Sequence, residues 1–249
     1  MRLLQFTDPH LPAVPGMLVR GVSTDATLAR CIAHARRRHP APQAVLLTGD
    51  LVHDDAAGYA ALRAQFCGSP APVHCLPGNH DEPASVKREL AGPPFVHEFA
   101  VRYGNWLVVM LDSTVAGSHH GHLAAEELDR LDRSLAGHAG AHALVCLHHQ
   151  PVPHGSRWLD ELMLDNAPEF FDVVALHPGV RGLAWGHTHQ PFEGMHGRVR
   201  LMGTPSTCMQ FAQNADEFEV DARPPAYRWL VLDDDGAIET GLEWVDADA

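Results

Sequence analysis

Five times along this chain a short apolar run stops at a cluster of aspartate, asparagine or histidine. Leu3–Phe6 runs into Thr7-Asp8-Pro9-His10, Ala44–Leu47 into Gly49-Asp50, and Val73–Leu76 into Gly78-Asn79-His80-Asp81. Ala143–Leu147 stops at His148-His149-Gln150-Pro151, and Gly182–Trp185 at Gly186-His187-Thr188-His189. Runs this short and apolar suit strands buried on both faces. In open α/β sheets, ligands gather beyond the carboxyl ends of the strands. Each segment is a weak signal alone, since a lone histidine is commonly a core or surface residue. The ordered set of five constrains the chain far more, because one fold can bring all five ends to one place.

Helical patterns alternate with these runs. Ser23 or Thr24 is positioned to cap a helix carrying Leu28, Ile32 and Ala35 on one face, and Tyr59, Leu62 and Phe66 recur within Ala56–Phe66. Leu128, Leu131 and Leu135 do the same near Ala124–Leu135. Val101–Tyr103 and Trp106–Leu111 flank Gly104-Asn105, a hairpin signal. Val199–Met202 and Trp229–Leu232 read as late strands, with Ala237–Trp244 as a further edge. Those last apolar strands can close a sheet within the chain or pair two subunits into a homodimer. There is no repeat, low-complexity tract or linker, so the expectation is one α/β domain over residues 1–249, with sheets covered by helices.

The net charge of −13 repels a polyanion, and no basic stripe offsets it, which argues against nucleic acid as a substrate. Arg36-Arg37-Arg38-His39 is the one dense basic segment, and it falls where a helix should end, opposite the negative pole of its dipole. No stretch approaches the roughly 20 apolar residues of a membrane span. The N-terminus carries no signal-like segment, so the expected location is cytoplasmic. Cys31, Cys67, Cys75, Cys146 and Cys208 form no Cys-x-x-Cys pair and read as free thiols of a reducing compartment.

The ligand types of the five segments make chemical sense together. Carboxylate oxygens and imidazole nitrogens suit Mn, Fe, Zn or Co, whereas a structural zinc site would ordinarily use thiolate. A carboxylate can bridge two cations at about 3.5–4 Å, the spacing of two-metal hydrolases, and asparagine adds an oxygen donor without further negative charge.

In this order, the five segments resemble the signature of the calcineurin-like metallophosphoesterase superfamily, over about residues 1–205. The resemblance implies a four-layer αββα sandwich with two mixed β-sheets and a centre of two divalent metal ions. Carried over by position, it implies Asp8, His10 and His189 on the first metal, Asp50 bridging, and Asn79, His149 and His187 on the second. Either His148 or His149 can supply the ligand from the paired histidines; the family's His-x-Pro pattern aligns His149 with Pro151. His80 is implied beside the phosphate, stabilising its charge or protonating the leaving oxygen, with Asp81 orienting its ring. Substrate contacts are expected from Asn79, His80, His189 and Thr204.

A narrower resemblance lies in LHHQPVPHGSRWLDELMLDNA, in GTPSTCMQF, in Leu111-Asp112-Ser113-Thr114 and in DARPPAYRWLVLDDDG. These are similar to the bacterial class III cyclic nucleotide phosphodiesterases, the cyclic AMP group, and extend the likeness over nearly the whole chain. Hydrolysis of 3′,5′-cyclic AMP to 5′-AMP by in-line attack of a metal-bound hydroxide is what that implies, with a small phosphodiester as the partner. A broad phosphodiesterase or phosphomonoesterase acting on glycerophosphodiesters is the alternative within the same chemistry. A non-catalytic scaffold is disfavoured because every motif residue is present.

Departures from the family pattern are Pro9, Gln150 and His154, none of which removes a ligand. His119-His120-Gly121-His122 reads as a loop facing solvent or substrate. Asp160, Asp165 and Asn166 suit either an exposed helix or a loop narrowing the pocket. Thr204-Pro205-Ser206-Thr207 offers hydroxyls to phosphate or base, and Trp158, Phe211 and Tyr227 are aromatic enough to stack on a base.

Overall fold

The computed structural model describes residues 1–246. The chain begins β1 (Arg2–Phe6), α1 (Thr24–Arg38), β2 (Ala44–Thr48), α2 (Tyr59–Phe66), β3 (Val73–Leu76), α3 (Pro83–Glu89) and β4 (Phe95–Val96). It continues through β5 (Ala100–Tyr103), β6 (Trp106–Met110), α4 (Ala125–Ala136), β7 (His142–Cys146), α5 (Arg157–Asp160), α6 (Ala167–Leu176) and β8 (Val180–Trp185). The last third holds β9 (Phe192–His196), β10 (Val199–Gly203), β11 (Gln210–Phe211), β12 (Val220–Asp221), β13 (Ala226–Leu232) and β14 (Ile238–Trp244).

Two six-stranded sheets result, in the orders β14-β13-β1-β2-β3-β4 and β5-β6-β7-β8-β10-β9. The inner strands run parallel: β1 with β2 and β3 in one sheet, β6 with β7 and β8 in the other. Antiparallel neighbours flank each parallel set, β13 against β1, and β5 against β6. The late strands β13 and β14 therefore pair with each other inside the first sheet.

Side-chain alternation along the strands explains the layering. On β1, Leu3 faces the other sheet while Leu4 and Phe6 face helices; on β7, Leu144 and Cys146 face inward while Ala143 and Val145 face outward. Three apolar clusters fill the three spaces between four layers. One packs Leu28, Ile32, Leu62 and Phe66 of α1 and α2 on the first sheet, one lies between the sheets, and one packs Leu131, Leu135 and Phe170 of α4 and α6 on the second. This is the αββα sandwich. No helix among the described residues is long and apolar enough to cross a membrane. Arg36, Arg37 and Arg38 occupy the last turn of α1, where cations complement the dipole.

One polar bridge ties the sheets at their carboxyl ends. Gln5 on β1 donates to Thr48 Oγ1 at 2.9 Å and to the Trp185 carbonyl at 3.2 Å, and accepts from Thr204 Oγ1 at 2.7 Å. That bridge sets the two rows of strand ends side by side.

Candidate metal centre

At each of the three strand ends β1, β2 and β8, the backbone turns through left-handed conformations that non-glycine residues seldom adopt. Asp8, His10, Asp50, His187 and His189 have φ of 52°, 45°, 50°, 63° and 49°. Such conformations cost on the order of 1 kcal/mol or more each and concentrate at functional sites. Their effect is to turn two side chains of one short motif into the same space. Close approach adds a demand for glycine. A Cβ on Gly186 would collide with Thr7 and Asp8, and one on Gly78 with Asp50.

The gathered atoms form overlapping groups: Asp8, His10 and His189; Asp8, Asp50 and His148; and His148, His149 and His187. Asp50 stands between the first and last of these. Its Oδ2 lies 3.5 Å from His10 Nε2 and its Oδ1 3.3 Å from His148 Nε2. On one side of it, His189 Nε2 is 3.4 Å from Asp8 Oδ1 and 3.2 Å from His10 Nε2. On the other, His148 Nε2 is 3.2 Å from Asn79 Oδ1.

These spacings fit cations. Ligand atoms about 2.0–2.2 Å from one ion stand about 3–3.5 Å from each other. The buried Nε2 atoms of His149 and His187 also have no hydrogen-bond partner, a costly state unless something else meets them. Outer contacts fix the rings: His148 Nδ1 is 2.8 Å from the Thr48 carbonyl and His189 Nδ1 2.8 Å from the Met209 carbonyl, so each donates there and turns Nε2 to the centre. His149 Nδ1 rests instead on the Ser113 hydroxyl at 2.8 Å.

Charge divides the histidines. Burial disfavours a proton on His148 and His189, but Asp50 and Asp8 outweigh it, raising His148 to about 9 and His189 to about 10. Burial dominates at His10, His149 and His187 and holds all three well below the usual range. Burial pushes the Asp50 carboxyl up, yet His148, His10 and His80 outweigh it and keep it ionised.

Two expected roles are corrected by the geometry. Asp81 does not orient His80: its carboxylate accepts from the backbone nitrogens of Leu51 and Gly78 at 3.0 and 2.9 Å and from the Tyr59 hydroxyl at 2.7 Å. It braces the Asp50 and Asn79 loops. The partner of His80 Nδ1 is Asp54 Oδ1 at 2.7 Å, a residue at φ 62° in the turn after Asp50 that no motif in the sequence marks. Thr204 is not a substrate contact. It is fully buried, donating to Gln5 and accepting from Arg228 Nε at 2.9 Å. The neighbouring Ser206 and Thr207 hydroxyls donate to the main-chain carbonyls of Asp8 and Thr7, strapping the first ligand loop from behind.

The histidine tract splits. His119 Nδ1 is 3.0 Å from Asn79 Nδ2 and its ring is 5.3 Å from that of His80, at the cleft mouth. His120 and His122 pair with Asp165 instead. Asp160 accepts from the backbone nitrogens of His154 and Gly155, and Asn166 brackets Leu123, so both are structural. His154 is tucked beneath Trp185 and Phe192 and leaves the cleft rim untouched. Tyr227 is a core residue stacked on Phe6, whereas Trp158 and Phe211 do line the cleft.

Residues 1–191 match the calcineurin-like phosphoesterase family. The chain belongs to that family. The 3′,5′-cyclic adenosine monophosphate phosphodiesterase CpdA of Pseudomonas aeruginosa is 39% identical over 245 residues, 98% of this chain and 90% of its own. CpdA of Escherichia coli K12 is 36% identical over 242 residues, 96% of this chain and 88% of its own. Among solved structures, a dimetal phosphatase from Danio rerio superposes with a TM-score of 0.66 at 14% identity, covering 98% of this chain and 99% of its own. At that identity the likeness speaks for the fold alone.

Proposed function

We propose that this calcineurin-like phosphoesterase hydrolyses 3′,5′-cyclic AMP to 5′-AMP, in the cytoplasm, with two divalent metal ions. The observation that carries the substrate is the near-full-length similarity to CpdA, joined to a cleft that opens directly over the ligand groups. In this reading Asp8, His10 and His189 hold one ion, Asp50 is shared, and Asn79, His187 and His148 hold the other. His148 replaces His149 in the set carried over from the family pattern, because its Nε2 faces Asp50 and Asn79 while His149 turns Nδ1 to Ser113 and sets its ring against His148 and His187. The donor set contains no thiolate and suits Mn, Fe, Zn or Co.

When bound, the ions supply Lewis acidity toward the phosphate oxygens and an acidified water. The chain supplies the rest. His80 lies beside the centre, its backbone nitrogen donating to Asp50 Oδ1 at 2.9 Å, which fixes its distance from the shared carboxylate. Asp54 accepts from Nδ1, so Nε2 is left to stabilise the phosphate or hand a proton to the departing ribose 3′ oxygen. His119 and Asn79 complete the polar edge of the cleft.

The test is a comparison of kcat/KM for 3′,5′-cyclic AMP, 2′,3′-cyclic AMP and a glycerophosphodiester with manganese-loaded protein. Preference for the 3′,5′-cyclic nucleotide is expected. Turnover of the glycerophosphodiester with cyclic AMP left intact would sink the assignment.

A further inference from the structure

His53 belongs to none of the five strand-end motifs. It lies in the turn before α2, half-buried, and lines the cleft. There it groups with His10 and His80, with nitrogens of all three rings within 4.8 Å of one another. The main chain sets this place. Beyond the ends of β1 and β2 the two loops go on pairing: His10 N donates to the Asp50 carbonyl at 3.0 Å, Leu11 N to the Leu51 carbonyl at 3.2 Å, and His53 N to the Leu11 carbonyl at 3.0 Å. Leu11 and Val52 form a parallel bridge within this ladder. Gly58 packs behind it so closely that a Cβ would strike the Leu11 carbonyl and Val52. His10 and His53 are held side by side by backbone, whatever their rings do.

The two rings meet nitrogen to nitrogen. His10 Nδ1 is 3.4 Å from His53 Nδ1, the separation of a long hydrogen bond. Two bare nitrogens would repel here and two N–H groups would collide, so one donates and the other accepts. His10 settles which. Its Nε2 lies 3.5 Å from Asp50 Oδ2 and 3.2 Å from His189 Nε2, where a ligand nitrogen must be bare. The proton of neutral His10 therefore sits on Nδ1, His53 Nδ1 receives it, and neutral His53 keeps its own proton on Nε2. His148 and His189 meet the same need with the carbonyls of Thr48 and Met209. At His10 the acceptor is a side chain, which a substitution can remove. His53 also stacks on His80, ring centres 5.3 Å apart and planes at 21°, while the next residue, Asp54, accepts from His80 Nδ1.

We propose that His53 is a positioning residue of this centre. By accepting from His10 Nδ1 it fixes the tautomer that presents Nε2 to the first ion, and by stacking it keeps His80 in register with that ligand. The proposal rests on the two-metal phosphodiesterase reading above. One turn, His53-Asp54, then aligns a metal ligand on one side and the proton donor on the other.

The experiment compares the wild-type protein with His53→Leu and His53→Gln. Leucine keeps bulk and accepts nothing, whereas the glutamine amide oxygen can accept. In manganese titrations of metal-free protein, His53→Leu should bind one of its two ions about ten- to a hundredfold more weakly, the range of outer supporting groups. His53→Gln should recover most of that loss, and both metal-free variants should melt as the wild type does. At saturating manganese, His53→Leu should lower kcat for cyclic AMP about tenfold with KM little altered, a fraction of what proton transfer contributes. Ring-nitrogen NMR of the zinc-loaded wild type, which needs no variant, should find the His53 proton on Nε2 and the His10 proton on Nδ1. Two ions held as tightly by His53→Leu as by the wild type, equal weakening in both variants, or a His53 proton on Nδ1 overturns the proposal. If the wild type binds two ions and leaves cyclic AMP intact while the order of metal affinities holds, His53 keeps its role and the phosphodiesterase reading falls.

Discussion

The two sheets contribute unlike chemistry to one centre. The ends of β1, β2 and β3 bring both carboxylates, the amide and two imidazoles: Asp8, Asp50, Asn79, His10 and His80. The ends of β7 and β8 bring imidazoles alone: His148, His149, His187 and His189. The consequence is electrostatic. Histidines of the second sheet that face a carboxylate of the first, His148 and His189, are raised to about 9 and about 10, and those that face other histidines are lowered by burial. The negative charge resides on one sheet and what balances it lies on the other, so residues of both sheets would hold the cations, and the ions would then also tie the two sheets together.

The largest effect should come from the residue both halves share. Asp50→Asn removes the carboxylate facing His10 and His148 together, and activity should fall about a thousandfold or more, the several kcal/mol of transition-state stabilisation that bound metal supplies. Elemental analysis should find both ions depleted; two ions per chain retained in this variant would break the picture of a shared ligand.

A smaller effect separates the paired histidines of the second sheet. His148→Ala should strip close to one ion per chain, whereas His149→Ala, which loses a ring held by Ser113, should cost about ten- to a hundredfold in metal affinity, the range of outer supporting groups. The reverse order in a metal titration would return the ligand role to His149.

The smallest effect sharpens the first sheet's own division between ligands and substrate-side groups. Asp54 is 64% exposed, so its pairing with His80 is screened by water. Asp54→Asn should lower kcat about tenfold, with metal content unchanged and KM little altered. Loss of an ion in this variant would show that Asp54 supports the centre rather than the ring of His80.

Much of this was legible in order and spacing. The five strand-end motifs announced themselves because short apolar runs and polar punctuation are local, and their ligand types follow from residue identity. Helices α1, α2 and α4 were readable from their apolar faces, whereas α3 and α6 were not. Pro83 and Pro168 open these two helices; α3 buries only Val86 among its large apolar residues, and α6 buries Phe170 and Val174 but carries further apolar residues, such as the exposed Leu176, outside that face. The choice between His148 and His149 was illegible for a stricter reason. Adjacent residues on an extended segment point to opposite sides, so one step of register decides which ring reaches Asp50.

The amino-acid sequence by itself determined which residue types stand at the strand ends, and hence that oxygen and nitrogen ligands for cations would be available. Only the tertiary structure decided which carboxylate holds His80, which hydroxyls face the cleft, and which aromatic rings line it. Asp54 reaches His80 across 26 residues, Thr204 is consumed by Gln5 across 199, and Trp158 meets Phe211 and Phe218 from the short helix α5. Such contacts depend on how loops fold back over the sheet ends. A one-dimensional pattern carries the period of a strand or helix but not the direction in which a loop returns.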